Sequence, residues 1–202
     1  MPRQSILIFA AAVLLIALGL GGYALLERQG HQPQSSGVAL VGGPFSLTNQ
    51  DGRRVTEKDF LGKYMLVFFG YTFCPDVCPT ELQVMTAALD QLGPEADRIQ
   101  PVFVTIDPER DTPQVLKPYV ENFGPRLTGL TGTPDEVASI AKAYRVYYAK
   151  AGNSAAGSDY IMDHSSIIYL MGPDGRFVKH MPYTTDAAKL AQELKETLNA
   201  SP

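Results

Sequence analysis

The sequence predicts an α/β domain in which a mixed β-sheet is flanked by helices on both faces. Two observations lead to this prediction. Residues 63–70 form a continuous apolar run, which is typical of a central strand buried on both faces. Predicted strands then alternate with predicted helices, and the chain closes with a hairpin and a final helix. Residues 44–202 are numerous enough for one domain with its own core.

The individual elements follow from apolar runs, helical spacing and turn residues. The predicted strands are a hairpin over 45–55, then residues 63–70, 101–106, 166–171 and 176–181. The predicted helices are residues 80–92, 114–123, 134–144 and 187–198. Asp51-Gly52 is typical of a hairpin turn, and Thr133 before Pro134 is typical of a helix start.

The first 28 residues are predicted to lie outside this domain. Residues 6–26 carry no charge and, at about 1.5 Å per residue, span roughly 30 Å of hydrocarbon. Arg3 precedes the run, so we expect a single-pass anchor in the inner (cytoplasmic) membrane, with the N-terminus in the cytoplasm and the C-terminal domain in the periplasm or outside. A cleaved signal peptide is the alternative, although the run exceeds the usual length of a signal-peptide core. Residues 29–43, rich in Gly, Gln, Ser and Pro, predict a flexible tether.

The charge of the chain is modest and well mixed. It has 17 basic and 21 acidic residues, a formal net charge of −4, with no block of like charge and no basic stripe. We therefore expect no nucleic-acid partner.

Cys74 and Cys78 are the only cysteines in the chain. Two cysteines in an exported protein ordinarily form one structural disulfide. A bridge over three intervening residues closes a very small loop and removes little entropy from the unfolded chain, so this spacing favours redox or metal chemistry. Cys78 is predicted at or just before a helix N-terminus, where unpaired amides and the helix dipole stabilise a thiolate.

One histidine can complete a metal site with these cysteines. His31 lies in the tether, His180 at the end of the last strand, and His164 in a polar loop that enters a strand. Position favours His164 only slightly over His180. The segment before it, residues 149–160, is predicted to be a mobile loop that positions His164 when metal or partner is present. Two sulfurs and an imidazole suit copper, and neither calcium nor magnesium.

For four aspartates near these motifs, an ordinary structural role is the alternative to a role in the site. Asp163 is either an acceptor that orients an imidazole N–H or a loop carboxylate. Asp76 is expected to be a solvated turn residue. Asp107 and Asp111 are expected to be turn and helix-cap residues rather than a catalytic carboxylate pair.

Three motifs together resemble the SCO/SenC family. They are the stretch 70–79 around the cysteines, the stretch 105–113, and Asp163-His164-Ser165, in the family's order and behind an apolar N-terminal run. The resemblance covers most of residues 45–198. It implies a membrane-anchored, thioredoxin-like protein involved in assembling the copper site of cytochrome c oxidase, with the copper-accepting oxidase subunit as partner.

The resemblance also implies a ligand set. Cys74, Cys78 and His164 stand where the family binds copper. Two thiolates and an imidazole suit Cu(I) in a nearly trigonal site, whereas Cu(II) wants a further oxygen ligand.

A thiol–disulfide oxidoreductase that keeps the target's cysteines reduced is the alternative function. It would use Cys74 and Cys78 as catalytic thiols without needing His164. The three-residue gap departs from the Cys-x-x-Cys redox motif and favours metal binding. The stretch Cys78-Pro79-Thr80-Glu81 resembles part of the peroxiredoxins and suggests a peroxidase. The chain lacks the Thr or Ser that peroxiredoxins place three residues before their reactive cysteine.

Overall fold

The computed structural model describes residues 41–151, 160–183 and 185–200. The predicted anchor at residues 6–26 lies outside these ranges, as does most of the tether at residues 29–43. In the described ranges, no helix combines the length and the hydropathy needed to cross a membrane.

The described residues form nine strands and four α-helices. The strands are β1 Ser46–Asn49, β2 Arg54–Thr56, β3 Tyr64–Gly70, β4 Ile99–Thr105, β5 Thr128–Thr131, β6 Tyr148–Ala151, β7 Ile161–His164, β8 Ile167–Met171 and β9 Phe177–Pro182. The helices are α1 Val77–Leu92, α2 Pro113–Glu121, α3 Pro134–Ala143 and α4 Ala187–Ala200. Short 3-10 helices cover Glu57–Phe60 and Gly93–Arg98.

Seven of the strands form one mixed sheet in the order β2-β1-β5-β4-β3-β8-β9. β3, β4 and β5 are parallel, and the other neighbours are antiparallel. All seven residues of β3 are buried. Because successive strand side chains point to opposite faces, both faces of the sheet are covered at β3. The predicted mixed sheet flanked by helices, with β3 as a buried interior strand, is therefore confirmed.

Local signals in the sequence explain two of the element boundaries. Gly52 has a φ of 79° in the β1–β2 turn, a conformation that glycine adopts without strain. Thr133 is the N-cap of α3: its side chain accepts the amide of Glu136, and the Glu136 carboxylate accepts the amide of Thr133 at 2.8 Å. This reciprocal capping box confirms the predicted helix start.

Three strands, β5, β6 and β7, were not predicted, and His164 lies in β7 rather than in the expected loop before a strand. β5 has only four residues and little apolar character, and the close approach of α2 explains why it contains Gly129: a Cβ there would lie 2.8 Å from a Val120 methyl. β6 occupies the beginning of the predicted loop at residues 149–160 and pairs with β7 in a separate two-stranded sheet. The prediction of a loop is wrong for residues 149–151, whereas Tyr160 lies in no strand or helix and residues 152–159 lie outside the described ranges.

The register of the sheet brings the three motifs to one edge. Gly70 at the end of β3 pairs with Thr105 at the end of the parallel strand β4. β8 is antiparallel to β3, with Ile168 opposite Phe68, so β8 begins where β3 ends. The cysteine loop, the stretch 106–112 and the segment that carries His164 therefore meet beyond the carboxyl ends of the parallel strands, where ligands bind in open α/β sheets.

Candidate metal centre

Cys74, Cys78 and His164 form a three-residue cluster. Their ligand atoms all lie within 4.8 Å of one another, and Cys78 Sγ lies 3.4 Å from His164 Nε2. Cys78 is fully buried, whereas Cys74 and His164 are partly exposed. Both cysteines are free thiols rather than a disulfide. His180 is exposed on β9 with its ring stacked on that of Phe177, so the structure favours His164.

The start of α1 positions the two sulfurs. The helix begins at Val77, three residues earlier than predicted, so Cys78 belongs to its first turn. The Cys78 amide donates to Cys74 Sγ at 3.4 Å. Asp76, at the N-cap position, is exposed and makes no side-chain capping bond. The Cys74 sulfur therefore satisfies one of the amides that a helix start leaves unpaired.

The two cysteines have opposite acidities. A hydrogen bond from the Cys78 thiol, supported by contacts with His164 and with the Cys78 amide, lowers the pKa of Cys74 to about 3. The neighbouring Cys74 sulfur and burial raise the pKa of Cys78. The stabilised thiolate is thus Cys74, and the prediction that the helix N-terminus would ionise Cys78 is wrong. Burial disfavours the charged form of Cys78, whereas the Cys78 backbone amide donates to the more exposed sulfur of Cys74.

Backbone and aromatic contacts orient the imidazole of His164. Its Nδ1 lies 3.3 Å from the carbonyl oxygen of Ser165, and because a carbonyl only accepts, this contact favours a proton on Nδ1. Nε2 is then the ring nitrogen that faces the sulfurs. The rings of Phe68 and Tyr71 flank the imidazole edge-on, each with its centroid 6.1 Å away. Asp163 is exposed on the opposite face of β7, so the Nδ1 partner is the Ser165 carbonyl and not the Asp163 carboxylate.

Asp111 connects the start of the cysteine loop to the end of β4 through hydrogen bonds. Its buried carboxylate accepts the Thr72 amide at 3.0 Å, the Thr72 hydroxyl at 2.6 Å and the Thr105 hydroxyl at 2.6 Å. Burial raises the pKa of Asp111, and the three donors partly offset that effect. The predicted helix-cap role is wrong, because Thr112 is the N-cap of α2. Sequence reasoning missed this contact because Thr72 and Asp111 are 39 positions apart; their shared place after neighbouring parallel strands was the available signal.

The chain is similar in sequence to known proteins over most of its length. The family model described as SCO1/SenC matches residues 33–199. The mitochondrial SCO1 homolog 1 of Arabidopsis thaliana is 50% identical over 146 residues, which cover 72% of this chain and 43% of the relative. The chain spans about half the length of the curated relatives that it matches.

Solved structures share both fold and sequence. Arabidopsis ScoI with copper bound is 45% identical with a TM-score of 0.74, covering 79% of this chain and 98% of that one. BsSco, described by its disulfide switch and as a member of the Sco family of cytochrome c oxidase assembly proteins, is 26% identical with a TM-score of 0.63, covering 81% and 96%. The family match covers most of the chain, and the cysteine–histidine cluster lies within it. This protein belongs to the SCO1/SenC family.

Proposed function

We propose that this protein is a membrane-anchored copper metallochaperone that assists assembly of the copper site of cytochrome c oxidase. The observation that carries the proposal is the convergence of the ligand atoms of Cys74, Cys78 and His164 within 4.8 Å. The copper bound to Arabidopsis ScoI, a structure of the same fold, supports the choice of metal.

The donor set explains how the site would take and release copper. Cys74 supplies a preformed thiolate, and His164 offers the Nε2 lone pair. Cys78 must lose its proton when metal binds, so copper uptake releases a proton. Two soft sulfurs and an imidazole hold Cu(I), and the partial exposure of Cys74 leaves one ligand accessible to the donors of an acceptor protein.

The proposed cellular arrangement rests on the sequence. Residues 6–26 would cross the inner membrane, residues 29–43 would tether the domain, and residues 44–202 would work in the periplasm or outside. The uncharged apolar run supports the anchor. In this arrangement the copper site reaches a membrane-bound oxidase subunit from the same side of the membrane.

Thiol–disulfide exchange is the second candidate function, favoured by the free cysteine pair with one thiolate. Cys74 would attack a target disulfide, forming a mixed disulfide and releasing one target thiolate. Cys78, after losing its proton, would attack Cys74 Sγ and displace the second target sulfur. The target gains two electrons as a dithiol, and this protein ends with a Cys74–Cys78 disulfide. The disulfide switch described for BsSco supports this chemistry.

Anaerobic copper titration of the exported domain tests the main proposal. We expect the wild type and a His180→Ala control to bind one Cu(I) per chain, whereas Cys74→Ser, Cys78→Ser and His164→Ala lose most of their affinity. Equal uptake by all five proteins would overturn the proposal. Reduction of a disulfide-bonded target peptide by His164→Ala at the wild-type rate would support the oxidoreductase, because that reaction needs only the thiols.

A further inference from the structure

Arg110 lies in the turn after β4 and contacts both segments that carry the predicted metal ligands. Its side chain is only 13% exposed. The guanidinium lies 3.7 Å from the ring centroid of Tyr160 and 4.7 Å from that of Phe73. Phe73 immediately precedes Cys74 in the cysteine loop. Tyr160 immediately precedes β7, the strand that ends at the predicted histidine ligand.

Hydrogen bonds fix this guanidinium in place. Its Nε donates to the Asp107 carboxylate, and its Nη1 donates to the backbone carbonyl of Tyr160 at 2.9 Å. The Tyr160 hydroxyl donates to the other Asp107 oxygen at 2.6 Å. Asp107 is buried, so these are charge-assisted bonds shielded from water. Asp107 also forms the expected turn, since its carbonyl accepts the amides of Arg110 and Asp111.

The strand that carries His164 needs such a connection. β6 and β7 pair with each other in a sheet of their own and not with the seven-stranded sheet. Besides the short chain connection from His164 to β8, side-chain contacts join this ribbon to the rest of the domain. One is the Tyr71 hydroxyl, which accepts the Met162 amide at 3.2 Å. The Arg110 contacts are another, because they reach Phe73 in the cysteine loop and Tyr160, immediately before β7, at the same time.

We propose that Arg110 is a positioning residue that holds the His164 strand against the cysteine loop. A planar guanidinium can contact aromatic rings while its edge donates to a carboxylate and a carbonyl; the ammonium of lysine cannot make this set of contacts. The experiment that measures copper loss rests on the proposed function. The experiment that measures the position of the imidazole in metal-free protein does not depend on that function.

The first experiment uses metal-free, reduced protein. Nuclear Overhauser contacts between the His164 ring and the rings of Phe68 and Tyr71 report the imidazole position. We expect Arg110→Gln and Arg110→Lys to lose or weaken these contacts. Lys150→Gln is the matched control, because Lys150 also lies over the Tyr160 ring, at 4.5 Å, but is exposed and pairs with Glu109. Unchanged contacts in folded Arg110→Gln would overturn the inference.

The second experiment measures copper loss to a competing chelator. We expect copper to leave Arg110→Gln about tenfold faster than wild type, the size typical of changes behind a metal ligand. In a His164→Ala background the same substitution should have no further effect, because the strand then carries no ligand. An equal effect in both backgrounds would show a general structural role and overturn the inference.

A milder variant keeps the test open if Arg110→Gln fails to fold. Phe73 is 55% exposed, so Phe73→Ala removes one ring of the stack without opening the core. It should change the His164 contacts in the same direction and to a smaller extent, and wild-type contacts in this variant would contradict the inference. Absence of copper binding by the wild type would refute the proposed function instead, with the metal-free measurement still deciding the role of Arg110.

Discussion

Two chemically identical residues, Cys74 and Cys78, acquire different acidities from their surroundings. The sulfur of Cys74 is partly exposed and accepts hydrogen bonds, whereas the sulfur of Cys78 is buried under the loop. Sequence spacing predicted that the pair would act together, but it assigned the thiolate to the wrong member. The assignment depends on burial depth, which the sequence around a turn does not specify.

Alkylation of reduced, copper-free protein tests the acidity of Cys74. Because its pKa is lowered to about 3, the thiolate fraction is constant between pH 5 and pH 8, so the iodoacetamide reaction rate should be nearly constant. An ordinary thiol with a pKa of about 8.5 would slow about tenfold for each pH unit. Mass spectrometry identifies the modified residue. In Cys78→Ala the thiol donor is lost, so the reaction of Cys74 should become more dependent on pH; a steep dependence in the wild type would contradict the assignment.

Glu81 is a buried acid that the proposed copper site does not use. It is 2% exposed on the core-facing side of α1, and its Oε1 has no hydrogen-bond partner among the described residues. Burial raises the pKa of Glu81 to about 7. Since the folded state holds the proton more tightly than the unfolded state, stability is highest below the unfolded pKa of about 4.3 and falls as pH rises to about 7.

Glu81→Gln should remove this pH dependence. Relative to the variant, the wild type should lose on the order of 3 kcal/mol of unfolding free energy between pH 4.5 and pH 8, at about 1.4 kcal/mol per pKa unit. Urea unfolding of both proteins at several pH values measures the difference. Parallel pH profiles for the two proteins would show that Glu81 does not titrate in this window.

At the scale of elements, the contact between β3 and α1 sets the depth of the site. A Cβ built on Gly70, the last residue of β3, would lie 2.8 Å from Cys78 Sγ and 2.8 Å from a ring carbon of Phe103. Both neighbours are fully buried and have little room to move. The glycine therefore allows the first turn of α1 to pack directly against the end of the central strand.

Gly70→Ala should destabilise the fold and disturb the site together. We expect a loss of about 1–3 kcal/mol, as for overpacked cores, with weaker copper binding because Cys78 is displaced. Thr133→Ala is the control: it removes the capping box of α3 and should cost about 1 kcal/mol without affecting copper. Urea unfolding and copper titration measure both properties. Full copper affinity in Gly70→Ala would show that the sulfur tolerates the extra methyl group.

The predictability of the elements followed the strength of their local signals. β3 was predictable because its whole length is apolar, and α3 because Thr133 and Pro134 mark its start. β5 was missed because Thr128–Thr131 is short and mostly polar, and it is stabilised by pairing with β4 and β1 rather than by its own composition. β6 and β7 were missed because each is short and pairs with the other in a separate sheet. Pairing partners lie far apart in the chain, so no local pattern records them.

At the scale of the whole molecule, the sheet register explains why three separate motifs form one site. Sequence reasoning named Cys74, Cys78 and His164, and the structure brings their ligand atoms together. Their spacing alone favoured His164 only slightly over His180, and the family resemblance decided between them. The supporting contacts of Asp111 and Arg110 were missed, because they join segments that lie far apart in the chain.

Metal binding should couple the site to the stability of the domain. A ligand that binds only the folded state stabilises it by RT ln(1 + [L]/Kd), about 2.7 kcal/mol when free ligand is 100 times Kd. Anaerobic Cu(I), supplied with a buffering ligand, should therefore raise the thermal midpoint of the wild type by several degrees. Cys74→Ser is expected to show no comparable rise under the same conditions. Equal rises in both proteins would indicate copper binding elsewhere.

The separate pairing of β6 with β7 has a consequence for the proposed copper handover. The imidazole lies on a two-stranded ribbon that is separate from the large sheet, whereas the two sulfurs lie in the loop after β3 and in the first turn of α1. Moving His164 away from the ion therefore breaks no backbone hydrogen bond of the seven-stranded sheet. In the proposed handover, the ion would then pass through a stage held by the two sulfurs, with its coordination sphere open on one side, and exchange into a recipient's ligands would proceed one bond at a time.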